Sequence, residues 1–166
     1  MSGRLPTYFI SHGGGPWPWL EGMRRQLANL EVSLKRMPEE IGVKPKAVLV
    51  ISGHWEGADF AVMHSANPPM IYDYSGFPDE TYKIVYPAPG APTLAERTAE
   101  LISAAGLPTH LDDAQGFDHG TFAPLYVMYP EADVPVFQVS MKRGYDPALH
   151  FALGRALAPL RDEGVL

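Results

Sequence analysis

The sequence predicts an α/β domain, and two observations carry that prediction. Short apolar, β-prone runs at residues 5–10, 46–51 and 134–140 are separated by longer stretches in which apolar residues recur at helical spacing. Strands that alternate with helices build βαβ units, whose strands are parallel and whose crossovers are right-handed. The expected architecture is a three-layer α/β/α domain with a mostly parallel or mixed central sheet.

Each element has its own signal. Residues 5–10 (LPTYFI) form a short apolar run with proline near its start, where a first strand tolerates it. A glycine- and proline-rich turn follows at residues 11–18. Leu20, Met23, Leu27, Leu30, Leu34 and Met37 then step by three and four, the stripe of one amphipathic helix that Pro38 and Gly42 end. Residues 46–51 (KAVLVI), bounded by Pro45 and Gly53, read as a buried parallel strand. Residues 60–63 form a further short strand. Residues 66–92 mix prolines with tyrosines and read as one long aromatic loop. Thr93 with Glu96 fits a capping box opening a helix that stops at Gly106. Asp146-Pro147 reads as an N-cap followed by proline at the first helical position, and Val165-Leu166 as the start of another strand.

Composition narrows the function. The chain has 166 residues, no cysteine, and 13 Lys+Arg against 19 Asp+Glu, a net charge of −6. With no thiol, a disulfide scaffold, a thiolate metal site and a cysteine nucleophile are excluded. An acidic balance argues against a duplex nucleic-acid partner, which requires a cationic face. No apolar run reaches membrane-spanning length and no signal-peptide layout opens the chain, so a cytoplasmic location is expected. Glycine and proline together supply 33 residues, yet 46% of the chain is hydrophobic. That pairing points to a packed single domain, residues 1–166, carrying long shaped loops rather than to disorder.

Two histidines sit at matching places. The first expected strand ends at Ser11-His12 and the second at Ser52-Gly53-His54. If the helix between them is a crossover, the strands are parallel and their carboxyl ends share one sheet edge, where open α/β sheets place ligands. His12 and His54 would then hold one divalent metal, zinc or iron(II), through neutral imidazole nitrogen. Each could equally be an ordinary turn histidine. His119, in Gly116-Phe117-Asp118-His119-Gly120, is a third candidate, balanced against a capping role. His64 reads as a solvent-facing polar position, His110 as part of a connection, and His150 as structural. Tyr72, Tyr74, Phe77, Tyr82 and Tyr86 either line an aromatic pocket or form the private core of their loop. His12-Gly13-Gly14-Gly15 echoes an oxyanion loop, but no G-x-S-x-G elbow accompanies it; no dinucleotide or Walker motif is present.

Five motifs in order add a resemblance. Ser11-His12-Gly13-Gly14-Gly15-Pro16, Ile51-Ser52-Gly53-His54-Trp55, Gly76-Phe77-Pro78, Tyr86-Pro87-Ala88-Pro89-Gly90 and Gly116-Phe117-Asp118-His119-Gly120 resemble the class III extradiol ring-cleaving dioxygenases, in their DOPA 4,5-dioxygenase-like branch. The resemblance implies an α/β/α core holding iron(II), or zinc in some members, with a small catechol and O2 as substrates. It implies metal ligation by His12 and His54 and a catalytic role for His119 against the catechol oxygens. It also implies that a third ligand and the main acid/base histidine lie beyond residue 166, so that the chain matches only the first two-thirds of such an enzyme. A zinc-dependent hydrolase on a similar sheet and a non-catalytic remnant are the alternative readings.

Overall fold

In the computed structural model, residues 3–166 are described. A short 3-10 turn at Trp17–Trp19 leads into α1 (Glu21–Gln26) and α2 (Ala28–Ile41). Then come β1 (Val48–Val50), β2 (Glu56–Gly57) and β3 (Phe60–Met63), a second 3-10 turn at Asp79–Lys83, and α3 (Pro92–Ala104). The chain continues through β4 (Thr109–Asp112), α4 (His119–Met128), β5 (Val136–Gln138), β6 (Met141–Lys142) and α5 (Pro147–Leu157). A last 3-10 turn follows at Ala158–Arg161.

The strands pair in parallel as β1 with β5, β2 with β6 and β3 with β4. An antiparallel bridge from Val62 to Val139 ties β3 to the end of β5, and Ala47 bridges Val165 in parallel on the other side of β1. The result is the mixed, mostly parallel α/β arrangement expected, built from short pairs. Val165-Leu166 does run as a strand start: Leu166 N–H donates to Ala47 O at 3.0 Å, and Leu49 N–H to Leu166 O at 2.8 Å.

One apolar core unites these pieces. Trp17, Leu34, Phe60, Phe122 and Phe137 are fully buried in it, with Leu153 and Leu160 from the last helix and turn. α3 packs on β3, β4 and α5, while α2 packs on α4. α4 is apolar all round and nearly every residue in it is buried. That is how a helix in the middle of a core reads.

Several expectations are corrected. No strand forms over residues 5–10. Leu5 is buried and exchanges hydrogen bonds with Arg161, at 3.0 Å and 2.6 Å, but the residues after it find no ladder partner among those described. Pro6 has no N–H to offer, and apolar content alone cannot make a strand without a neighbour. The single helix from Leu20 is two helices, with Leu27 at the junction and φ −101°, ψ 20°. Pro38 lies inside the last turn of α2 rather than ending it, and Gly42 closes the helix at φ +70°, the left-handed conformation glycine adopts most easily. The capping box at Thr93 does not form: α3 starts a residue earlier on Pro92, with Ala91 as an N-cap that offers no side chain. His110, expected in a connection, lies instead in β4, paired with Phe60–Met63. By contrast Asp146 caps α5 as expected, accepting from Ala148 N–H at 2.8 Å and Leu149 N–H at 3.4 Å.

Candidate metal centre

Three separate local devices bring His12, His54 and His119 to one point. His12 precedes a tight glycine turn that wraps Trp17. The Trp17 indole N–H donates to His12 O at 2.6 Å, and a Cβ on Gly13 (φ +76°) would lie 2.5 Å from the indole ring. The turn therefore requires glycine there and hangs His12 from a fully buried tryptophan. His54 follows β1 through Ser52-Gly53. Ser52 Oγ accepts from His54 N–H at 3.2 Å and donates to Asp118 Oδ1 at 2.7 Å. His119 is the first residue of α4, capped by Asp118, whose Oδ1 also accepts from Thr121 N–H at 3.1 Å. The shared sheet edge inferred from two paired strands is thus not what joins His12 to His54. Trp17 and the glycine turn do that work in place of the missing strand.

The geometry is close. His12 Nε2 and His54 Nε2 are 3.2 Å apart. The His54 and His119 rings stand 4.1 Å apart by centroid, and His12 is 5.0 Å from each. One nitrogen from each of the three lies within 4.8 Å of the other two. Burial lowers the His12 pKa, and the neighbouring His119 and His54 lower it further. Both effects favour the uncharged ring, the form that has a lone pair to give. Three imidazoles converging on one point are a donor set that suits zinc or iron(II).

Asp73 supports this cluster and was not singled out from the sequence. Its Oδ1 accepts from the His119 ring Nδ1–H at 2.8 Å and from His119 N–H at 3.0 Å, while Oδ2 lies 3.3 Å from His54 Nδ1. Burial pushes the Asp73 carboxyl up, but the bonds from the His119 ring and backbone outweigh it, and the net shift is downward. Asp73 is the sole carboxylate between Ala66 and Pro78, which is the signal that could have marked it. Deeper in, Gln138 holds the segment before His119: its amide N–H donates to Gly116 O at 2.6 Å and its carbonyl accepts from Thr121 Oγ at 2.5 Å.

The remaining candidates separate cleanly. Tyr86 is core, 2% exposed, with its hydroxyl donating to Tyr129 O at 3.0 Å. Tyr72 donates to Ile84 O at 2.7 Å, a bond within its own loop. Tyr74 is tied to Thr81 O at 2.6 Å, yet its ring also meets His119 edge-on at 6.0 Å. His150 spends both nitrogens on backbone, at Asp146 O and Lys142 N–H, and packs on Phe60. His64 is paired with Asp113 and Glu96 rather than simply solvated. An open groove of about 390 Å³ beside Pro38, Val43, Lys44, Tyr129 and Val134 holds no histidine. Donor chemistry, more than concavity, locates the site.

These features define an α/β protein with a histidine cluster of metal-ligating geometry. Residues 6–166 match the family described as the catalytic LigB subunit of aromatic ring-opening dioxygenase, and the chain belongs to that family. It is 43% identical to a 4,5-DOPA dioxygenase extradiol of Beta vulgaris over 96% of this chain and 59% of that protein. It is 42% identical to a 4,5-DOPA dioxygenase extradiol of Escherichia coli K12, over 99% of this chain and 58% of that one. A crystal structure of an uncharacterized protein from Escherichia coli K12 superimposes with a TM-score of 0.65 at 38% identity, covering 81% of this chain and 49% of that chain. The chain therefore spans from about half to about three-fifths of the length of these relatives. No helix among the described residues is long and apolar enough to cross a membrane.

Proposed function

We propose that this chain is the metal-holding, single catalytic-type domain of a cytoplasmic extradiol dioxygenase, acting on a small catechol and O2 with His12 and His54 as ligands to one iron(II). The observation that carries this reading is the 3.2 Å approach of the two Nε2 atoms, with His119 facing them. A divalent iron there would bind both reactants side by side and carry electron density between them. The chain's own residues do the rest. His12 and His54 present ring nitrogen from the glycine turn and from the end of β1. His119 has Nδ1–H committed to Asp73, so its Nε2 lone pair is free to take a proton from a catechol hydroxyl. Tyr74, edge-on to His119, offers an aromatic wall for the ring.

The test begins with metal content. His12→Ala and His54→Ala are each expected to lose stoichiometric iron or zinc by elemental analysis, whereas His119→Ala is expected to keep it. Unchanged metal in either of the first two variants sinks the shared site. Anaerobic loading with iron(II), then a catechol and air, is expected to consume oxygen and form a ring-opened product. A zinc hydrolase would consume none.

A further inference from the structure

The two histidines that face each other across the centre do not choose their tautomers independently. A carboxylate is an acceptor only, so a neutral imidazole nitrogen that faces one must be the nitrogen carrying hydrogen. His119 Nδ1 is hydrogen-bonded to Asp73 Oδ1 at 2.8 Å, and His54 Nδ1 lies 3.3 Å from Asp73 Oδ2, a charge contact rather than a formed hydrogen bond. With hydrogen on both Nδ1 atoms, both Nε2 atoms carry lone pairs, and His54 Nε2 is the atom 3.2 Å from His12 Nε2. Asp118, the other nearby acid, accepts from Ser52 and Thr121 through Oδ1, and its buried Oδ2 has no hydrogen-bond partner among the described residues, so neither oxygen is bonded to an imidazole. His12 stands outside the arrangement: its Nδ1 is buried and has no partner among the described residues.

We propose that Asp73 is a shared positioning residue, one carboxylate that sets the tautomers of His54 and His119 together and so aims both Nε2 lone pairs into the centre. This rests on the metal reading above only for its consequence, not for its geometry. A partner carboxylate behind a ligating histidine fixes ring orientation and raises ligand basicity, and losing it weakens metal binding by about 10–100-fold. Here a single side chain serves one ring proposed to hold metal and one proposed to handle a proton.

The two oxygens are not equivalent, which makes the test specific. Oδ1 accepts from two His119 donors, the ring at 2.8 Å and the backbone at 3.0 Å. In Asp73→Asn the amide oxygen keeps that position, and the NH2 group then faces His54 Nδ1. His54 must accept there, moving its hydrogen to Nε2, where it blocks ligation; His119 stays Nδ1–H.

Long-range proton–nitrogen NMR on metal-free, histidine-labelled protein reads these states directly. Wild type is expected to show His54 and His119 as Nδ1–H. Asp73→Asn is expected to convert His54 alone, leaving His12 and His119 unchanged, and to lower affinity for zinc, titrated calorimetrically as the metal alone, by about 10–100-fold. Asp73→Ala is expected to release both rings. Nε2–H tautomers at both rings in wild type overturn the proposal without any variant, and so does an unconverted His54 in Asp73→Asn. Should zinc fail to bind the wild-type protein, the metal reading falls, while the tautomers still decide the role of Asp73.

Discussion

Gly120→Ala puts the packing around the centre to a quantitative test. Gly120 is the second residue of α4, and a Cβ there would lie 2.7 Å from Ser52 Oγ, 2.9 Å from His54 Cδ2 and 3.0 Å from Asp118 Oδ1. Ser52 cannot step aside, because its hydroxyl is held at 2.7 Å by Asp118 and at 3.2 Å by His54 N–H. The imidazole of His54 must give way, and it moves relative to His12. Overpacking of this kind costs about 1–3 kcal/mol. Alanine in place of glycine in a helix returns at most about 1 kcal/mol. The net loss is about 1 kcal/mol, which lowers Tm by roughly 2–4 °C in a chain of this size. Gly154 supplies the contrast: it is exposed within α5, and a Cβ there meets nothing within 4 Å. Gly154→Ala is expected to raise stability by about 0.5–1 kcal/mol. Melting by circular dichroism on metal-free protein measures both changes, and zinc titration is expected to weaken only for Gly120→Ala. Equal stabilisation of the two variants with unchanged zinc affinity would refute the reasoning.

Three further outcomes are expected. Gln138→Leu leaves Gly116 O and the Thr121 hydroxyl buried without their partner, so chemical denaturation should show a loss of about 1–3 kcal/mol for each group so orphaned; a neutral result would show that the pair is not desolvated. Glu31 is held down to about 2 by hydrogen bonds from Arg24 and then Lys35. An acid whose folded pKa is depressed stabilises above its unfolded value and loses that stability as pH falls, so Glu31→Gln should flatten the decline between about pH 4.5 and 2. His64 runs the other way: its bond to Asp113 raises its pKa above 6.5, with Glu96 adding to it. Its contribution is complete below 6.5 and disappears as pH rises through the folded value, and Asp113→Asn, which leaves only Glu96, should reduce that slope in a pH series of melting curves.

The parts of the fold that were legible in the sequence are those decided locally. The Asp146-Pro147 cap needs only its own side chain and the next two N–H groups, and it forms as read. Residues 48–50 and 60–63 carry enough continuous apolar surface to be strands in any compact arrangement. What failed depended on a partner. Residues 5–10 look as much like a strand as β1 does, yet no neighbour completes a ladder there. His110 reads as part of a connection, and lies in β4 because Phe60–Met63 offers its segment a free edge. Asp73 shows the same limit at the site. It lies 46 residues from His119, with α3 and β4 between them, and nothing near it in sequence says that its two oxygens meet two imidazoles.

By itself, the sequence determined the chemistry available: no thiol, six histidines, and glycine turns beside three of them in an order that names the family. Residue type and short-range steric demand settle those matters, since neither depends on where distant segments lie. Only the tertiary structure decided that His12, His54 and His119 point at one another and that a single carboxylate stands behind two of them. Those are contacts between segments far apart in sequence, 42 residues between His12 and His54 and 46 between Asp73 and His119, held by a buried tryptophan, a serine and an aspartate cap. Long-range contacts of that kind arise from packing a common core, and no local pattern encodes them.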